Sequence, residues 1–164
     1  MIRAFVLGCL MLLTGCASQA PLPQNLPTLA LPMQLHVQRV QAGQSQDWLL
    51  VIQQEGQTLR WSLLDLLGIP QARQRLVEHQ WQADGLLPPN PEARELFAAL
   101  LFALTPDRPL TADYRGATTD NHRRRLGERW QVVYRKEAAS VPFTLTLLHD
   151  LTYRITPLPS ETTP

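Results

Sequence analysis

The sequence predicts an α+β fold, in which an antiparallel sheet carries an apolar helix against one face. Three observations lead there. Polar and apolar residues alternate in repeated runs, as in Met33-Leu35-Val37 against Gln34-His36-Gln38, and a period of two marks a strand wetted on one side. Glu55-Gly56 separates two such runs, which marks a hairpin. Between the strand-rich halves lies one helical stretch whose second half, LFAALLFAL from Leu96 to Leu104, holds no polar residue. Strands, one helix and strands again indicate segregated layers.

The chain begins MIRAFVLGCLMLLTGC. Arg3 precedes an apolar run from Ala4 to Leu13. That run is about half of the ~20 residues that cross a bilayer. A basic start, a short apolar run and a small-residue end make a secretory signal. The end, Leu13-Thr14-Gly15-Cys16, resembles the signal of bacterial lipoproteins. The resemblance implies removal of residues 1–15, acylation of Cys16 and a membrane partner held through it. Ala17 in place of Asp resembles the sorting pattern for the outer membrane, which places the domain on its periplasmic face. Two or more acyl chains anchor stably where one does not. Cys9 leaves with the signal, so no disulfide is expected.

Removing 15 of 164 residues leaves 149, enough for one domain with a substantial core. Loss of Arg3 leaves 14 basic and 14 acidic side chains. Nucleic-acid binding normally shows a basic excess, so no nucleic-acid partner is expected. Residues 16–32 carry Pro21, Pro23, Pro27 and Pro32 and few charges, and read as a lipidated, semi-rigid tether. The domain is expected over residues 33–158, and 159–164 as an unstructured tail.

Within the domain, DWLLVIQQ (47–54) and QTLRWSLL (57–64) form the first hairpin, and residues 69–78 and 80–84 a weaker second one. Asn90 is placed to cap a helix, Pro91 to open it, and Glu92 and Glu95 to favour its N-terminal dipole. The helix body ends near Leu104, before Thr105-Pro106. A surface helix keeps one wet face, and this one has none over its last two turns. A long polar segment follows. RWQVVYRK, PFTLTLLH and LTYRITPL then supply three short strands.

The stretch from Arg60 to Leu104 resembles a family of small proteobacterial lipoproteins. The shared elements are D-x-x-G-I-P, here Asp65 to Pro70, and D-G-L-L-P-P-N, here Asp84 to Asn90. Such genes commonly accompany those for aryl-polyene or fatty-acid-like products, which implies a polyene or acyl-chain ligand. More distantly, the order of strand, Leu-Leu-Gly turn, strand and apolar helix over Met33 to Ile155 resembles the periplasmic lipoprotein carrier and its outer-membrane receptor, LolA and LolB. That resemblance implies an incomplete, curved β-barrel with helices over an apolar concave face. It also implies membrane contact through Leu66 and Leu67 in the turn DLLGIP, residues that the sequence equally allows in the core. Thr105-Pro106-Asp107-Arg108 departs from the receptor's Trp-Leu-Arg-Gly element.

Little else suggests reaction chemistry. His36, His79, His122 and His149 show no metal-ligand spacing. Ser45 and Ser62 lack a Gly-x-Ser-x-Gly setting. Asp65 reads as a turn former. The basic run NHRRRLGER (121–129) reads as a solvated loop, with contact to anionic head groups as the alternative. No enzyme activity, metal or cofactor is expected.

The apolar set points elsewhere. Trp48, Leu50 and Ile52 share one strand face, and Leu59, Trp61 and Leu63 share one on the next. With Leu96, Phe97, Leu100, Leu101 and Leu104 they form either a closed core or a cavity lining. The cavity reading makes Trp48, Leu50, Ile52, Trp61, Leu63, Phe97, Leu100, Leu101 and Leu104 a ligand site for an acyl or polyene chain. The rival readings are a structural partner of an envelope protein complex and a lipid-tailoring enzyme.

Overall fold

The computed structural model describes residues 19–120, 122–136 and 141–159. The alternation at 33–41 forms β1 (Met33–Gln41), with Leu35 and Val37 buried. Ala42 and Gly43, both at positive φ, turn the chain into β2 (Gln44–Glu55). Gly56 turns it again into β3 (Thr58–Asp65). β4 (Pro70–Val77) and β5 (Gln80–Ala83) complete the first half. After the helices come β6 (Ala117–Asp120), β7 (Arg123–Leu126), β8 (Trp130–Tyr134), β9 (Phe143–Thr146) and β10 (Thr152–Pro157).

All ten strands join one antiparallel sheet in the order β5-β4-β3-β2-β1-β10-β9-β8-β7-β6. The first and last strands lie side by side, with Val37 opposite Ile155. The sheet is not closed: β5 and β6 end the order. The chain between these two edges forms α1 (Pro91–Leu104) and α2 (Asp107–Asp113).

α1 starts as its residues dictate. Asn90 Oδ1 accepts a hydrogen bond from the Ala93 amide at 3.0 Å, and Pro91 opens the first turn, where its missing N–H is no loss. It ends at Thr105, whose hydroxyl donates to the Leu101 carbonyl at 2.8 Å. Every residue from Leu96 to Leu104 is buried. A helix dry on all sides has to be enclosed, and strands far apart in the sheet order reach it. Phe97 meets Trp61 of β3 at 5.4 Å between ring centroids, and Phe102 meets Trp130 of β8 at 5.6 Å.

The segment after α1 differs from its expectation as a polar loop. It holds α2, β6 and β7, and the run 121–129 contributes a strand rather than a solvated loop. Its alternation explains this. Arg123 and Arg125 are exposed while Arg124 is fully buried. The Arg124 guanidinium donates to the carbonyls of Phe102 and Ala103 at 3.1 and 3.2 Å, and to that of Thr105. A helix end leaves such carbonyls without partners, and here a cation supplies them.

Residues 19–32 hold no helix or strand, yet they lie along the domain. Leu22, Leu26, Leu29 and Leu31 pack against the core. The Gln24 amide donates to the Asp113 carbonyl at 3.2 Å. The Asn25 amide and side chain donate to Asp113 Oδ1 at 3.0 and 2.9 Å. Among the described residues no helix is long and apolar enough to cross a membrane.

Candidate functional site

The expected ligand set comes together around α1. Register places Leu50 opposite Leu63 and Ile52 opposite Trp61 on the inner face of β2 and β3. With Phe97, Leu100, Leu101 and Leu104 these residues belong to one buried cluster. Trp48 is partly buried at its margin, 6.4 Å from Tyr153 between ring centroids. Leu59 packs partly buried beside the same cluster. The helix touches the wall directly at the points given by the ring contacts.

Polar clamps fix α1 at both ends. Arg39 grips Glu92 with Nε to Oε1 at 2.6 Å and Nη2 to Oε2 at 3.1 Å, and the Tyr153 hydroxyl donates to Oε1 at 2.8 Å. Arg129 grips Glu95 with both contacts at 2.7 Å, and the Trp130 indole donates to it at 2.7 Å. The bond from Arg39 holds the Glu92 carboxyl below its ordinary range, against the opposing effect of burial. For Glu95 burial is the largest influence and pushes upward, but the Arg129 and Trp130 bonds with the Arg129 charge outweigh it, and the net direction is down. Burial pushes the Tyr153 and Tyr114 phenols up, so both stay neutral. At the other end the Tyr134 hydroxyl donates to the Ala103 carbonyl at 2.6 Å, beside Arg124.

The hairpin tip between β3 and β4 has the opposite character. Leu66, Leu67 and Ile69 are 74%, 85% and 54% exposed, so the two leucines are not core. Asp65 organises the turn as expected of it. Its Oδ1 accepts from the amides of Leu67 and Ile69, each at 2.9 Å, and Gln71 donates to Oδ2 at 3.2 Å. Gly68 takes φ +80°, which only glycine adopts without strain. A register shift at Leu63/Leu64 re-aims the strand just before the tip. The polar groups face inward on the turn and the leucines face water.

A third feature was not anticipated. A hollow of about 210 Å³ lies between the docked N-terminal segment and the free edge of the sheet. Gln19, Ala20 and Leu22 form one side, and His79, Gln80, Trp81 and Arg94 the other. Trp81 stacks into the core aromatics, 5.6 Å from Trp61 and 5.8 Å from Phe97. The one sequence cue was Arg94, set between Glu92 and Glu95 ahead of the apolar run.

Among the described residues no three His, Cys, Asp or Glu side chains gather as a metal site. His36 Nε2 lies 2.8 Å from Asp47 Oδ1 on a half-exposed strand face. Cys16 lies outside the described residues, as does most of the tail 159–164. No protein-family model and no curated protein matches the chain.

Proposed function

We propose that the chain is an outer-membrane lipoprotein, anchored through acylated Cys16 and facing the periplasm, that binds an acyl or polyene chain or hands over lipidated cargo. The ten-stranded sheet acts as a curved half-barrel and α1 as its apolar filling. The observation that carries this reading is a helix with no wet face from Leu96 to Leu104, lodged in a sheet with two free edges. The exposed Leu66 and Leu67 support it, because a stiff turn that presents leucines to water suits insertion among lipid chains. Binding draws on burial of methylenes, and no reacting side chain takes part.

Magnitudes decide how a guest enters. A sixteen-carbon chain contributes roughly 12 kcal/mol at ~0.8 kcal/mol per methylene. The six large apolar side chains of α1 contribute roughly 9–18 kcal/mol at ~1.5–3 each, and the clamps at Glu92, Glu95 and Arg124 add to that. The two apolar terms are of similar size, and the clamps tip the balance towards the helix. The guest therefore enters beside α1, at a sheet edge, rather than replacing it.

The close ring contacts between α1 and the sheet favour a second reading, a solid domain that docks another envelope protein. Native mass spectrometry of the full chain purified from membranes separates the two. The carrier reading expects a hydrocarbon adduct beyond the covalent acyl chains. A chain that carries no such adduct, takes up none when palmitate or phosphatidylglycerol is offered, and co-purifies with a protein partner overturns it.

A further inference from the structure

The hollow under the N-terminal segment holds an arginine with an uncommitted charge. Glu92 and Glu95, on the same helix, are taken by Arg39 and Arg129. Arg60 and Arg75 reach Asp84 on the outer face. Arg94 has no ion pair among the described residues, and its Nε is buried without a hydrogen-bond partner. The unsatisfied groups continue behind it. The indole N–H of Trp81, which lines the hollow, is buried and unpartnered, and so is that of its neighbour Trp61. Gln74, 3% exposed and opposite Trp61 across the ladder, leaves its Oε1 unpaired. Buried polar groups normally have partners. Two of these groups, on Arg94 and Trp81, belong to residues that line the hollow.

The inventory is donor-rich. A guanidinium offers a planar fork that matches a carboxylate and stays charged at all relevant pH values. The unpartnered Trp81 indole N–H belongs to a residue of the same lining. The remaining lining mixes Ala20, Leu22 and the Trp81 ring, with Phe97 behind, and the polar Gln19, His79 and Gln80. The volume is smaller than the ~300–1,000 Å³ of pockets that enclose a whole small ligand. It suits a head group and the first methylenes, which can lie on Ala20, Leu22 and the Trp81 ring.

We propose that this hollow is the head-group site for a long-chain carboxylate, with Arg94 as the anion-binding residue and Trp81 as its donor and apolar floor. The inference rests on the lipid-binding reading above and adds to it the charge of the guest. It also places entry at the β5 edge, one of the two edges at which a guest can pass beside α1.

The test incubates the full chain with palmitate or with 1-hexadecanol, which share a tail and differ in charge, and counts bound copies by native mass spectrometry. Palmitate is expected to occupy the chain at least tenfold better than the alcohol. Arg94→Gln should remove that preference, and Arg94→Lys should keep part of it. Thermal melting of each variant reports its folding, and Trp81→Phe, which keeps the ring bulk and deletes the donor, supplies a second probe that should weaken palmitate alone. Equal binding of acid and alcohol, unchanged in Arg94→Gln, overturns the head-group site and leaves the hydrocarbon reading standing. Binding of neither overturns both.

Discussion

The Glu95 carboxylate accepts a hydrogen bond from the Trp130 indole at 2.7 Å while Arg129 closes on it with two contacts of the same length. This joins the second turn of α1 to the start of β8, 35 residues further along the chain. Glu92 makes the equivalent junction to β1 and β10 through Arg39 and Tyr153. The helix is therefore pinned by two carboxylates at its polar end and packed by leucines over the rest.

Acid should loosen this pinning. Both carboxyls are held below their ordinary range, Glu92 chiefly by the Arg39 bond and Glu95 by Arg129 and Trp130 against burial. A depressed folded-state value means that the unfolded chain binds protons first as pH falls. The stabilisation is complete above the unfolded value of ~4.3, and it is lost as pH drops through the folded values. Urea midpoints measured from pH 7 to pH 3 should stay level to about pH 4.5 and then fall. Glu92→Gln with Glu95→Gln should flatten the acid limb and cost about 1 kcal/mol at pH 7, because both pairs are partly exposed.

Arg124 is expected to be the most sensitive charged residue. It is fully buried and bonded to three carbonyls at the end of α1. Arg124→Met fills similar space but strands those carbonyls, for a loss of roughly 2–4 kcal/mol in denaturant unfolding. Arg123→Met and Arg125→Met, one residue to either side and exposed, should stay within ~0.5 kcal/mol.

Leu101→Asp is a poor probe of lipid binding alone, since Leu101 is completely buried and a carboxylate there should unfold the domain. The hairpin tip offers a cleaner separation. Leu66→Asp with Leu67→Asp should leave the melting temperature within about 2 °C, because both side chains stand in water. Co-sedimentation of the unacylated chain with phosphatidylglycerol vesicles should fall at least tenfold. Undiminished sedimentation would refute membrane contact through this turn.

The docked N-terminal segment should detach without global unfolding. Asp113→Ala removes the acceptor for both Asn25 bonds, at a cost of roughly 1.5–3 kcal/mol, the usual worth of a hydrogen bond to a charged group. Amide exchange across residues 20–31 should accelerate by about tenfold or more. Exchange in β1 and β2 should change little. Uniform acceleration across the sheet would mean that the segment is part of the core instead.

The features legible in the sequence were the local ones. Glu55-Gly56, Asp65 with Gly68, and Asn90-Pro91 each carry a turn or cap in their own few residues, and the structure uses them so. The inner faces of β2 and β3 followed from a period of two. What stayed hidden depends on distant partners. In Arg123-Arg124-Arg125 nothing local distinguishes the buried middle residue, whose burial is licensed by carbonyls about twenty positions earlier. Proline-rich chain is extended whether free or docked, and the docking of Asn25 depends on Asp113, 88 residues away. Arg94 resembled any polar residue near a helix start until the ion pairs of its neighbours were known.

On the proposed anchoring through Cys16, the bonds from Gln24 and Asn25 to Asp113 also set the length of a leash. With the segment seated, only residues 17 and 18 separate Cys16 from the bound chain, a reach of roughly 10 Å at ~3.5 Å per residue. Peeled away through Pro32, the same chain spans roughly 55 Å, more than the thickness of a bilayer. So anchored, the Asn25–Asp113 bonds, the Gln24 backbone bond and the packed leucines together decide between a domain hugging its anchorage and one free to swing far into the surrounding space.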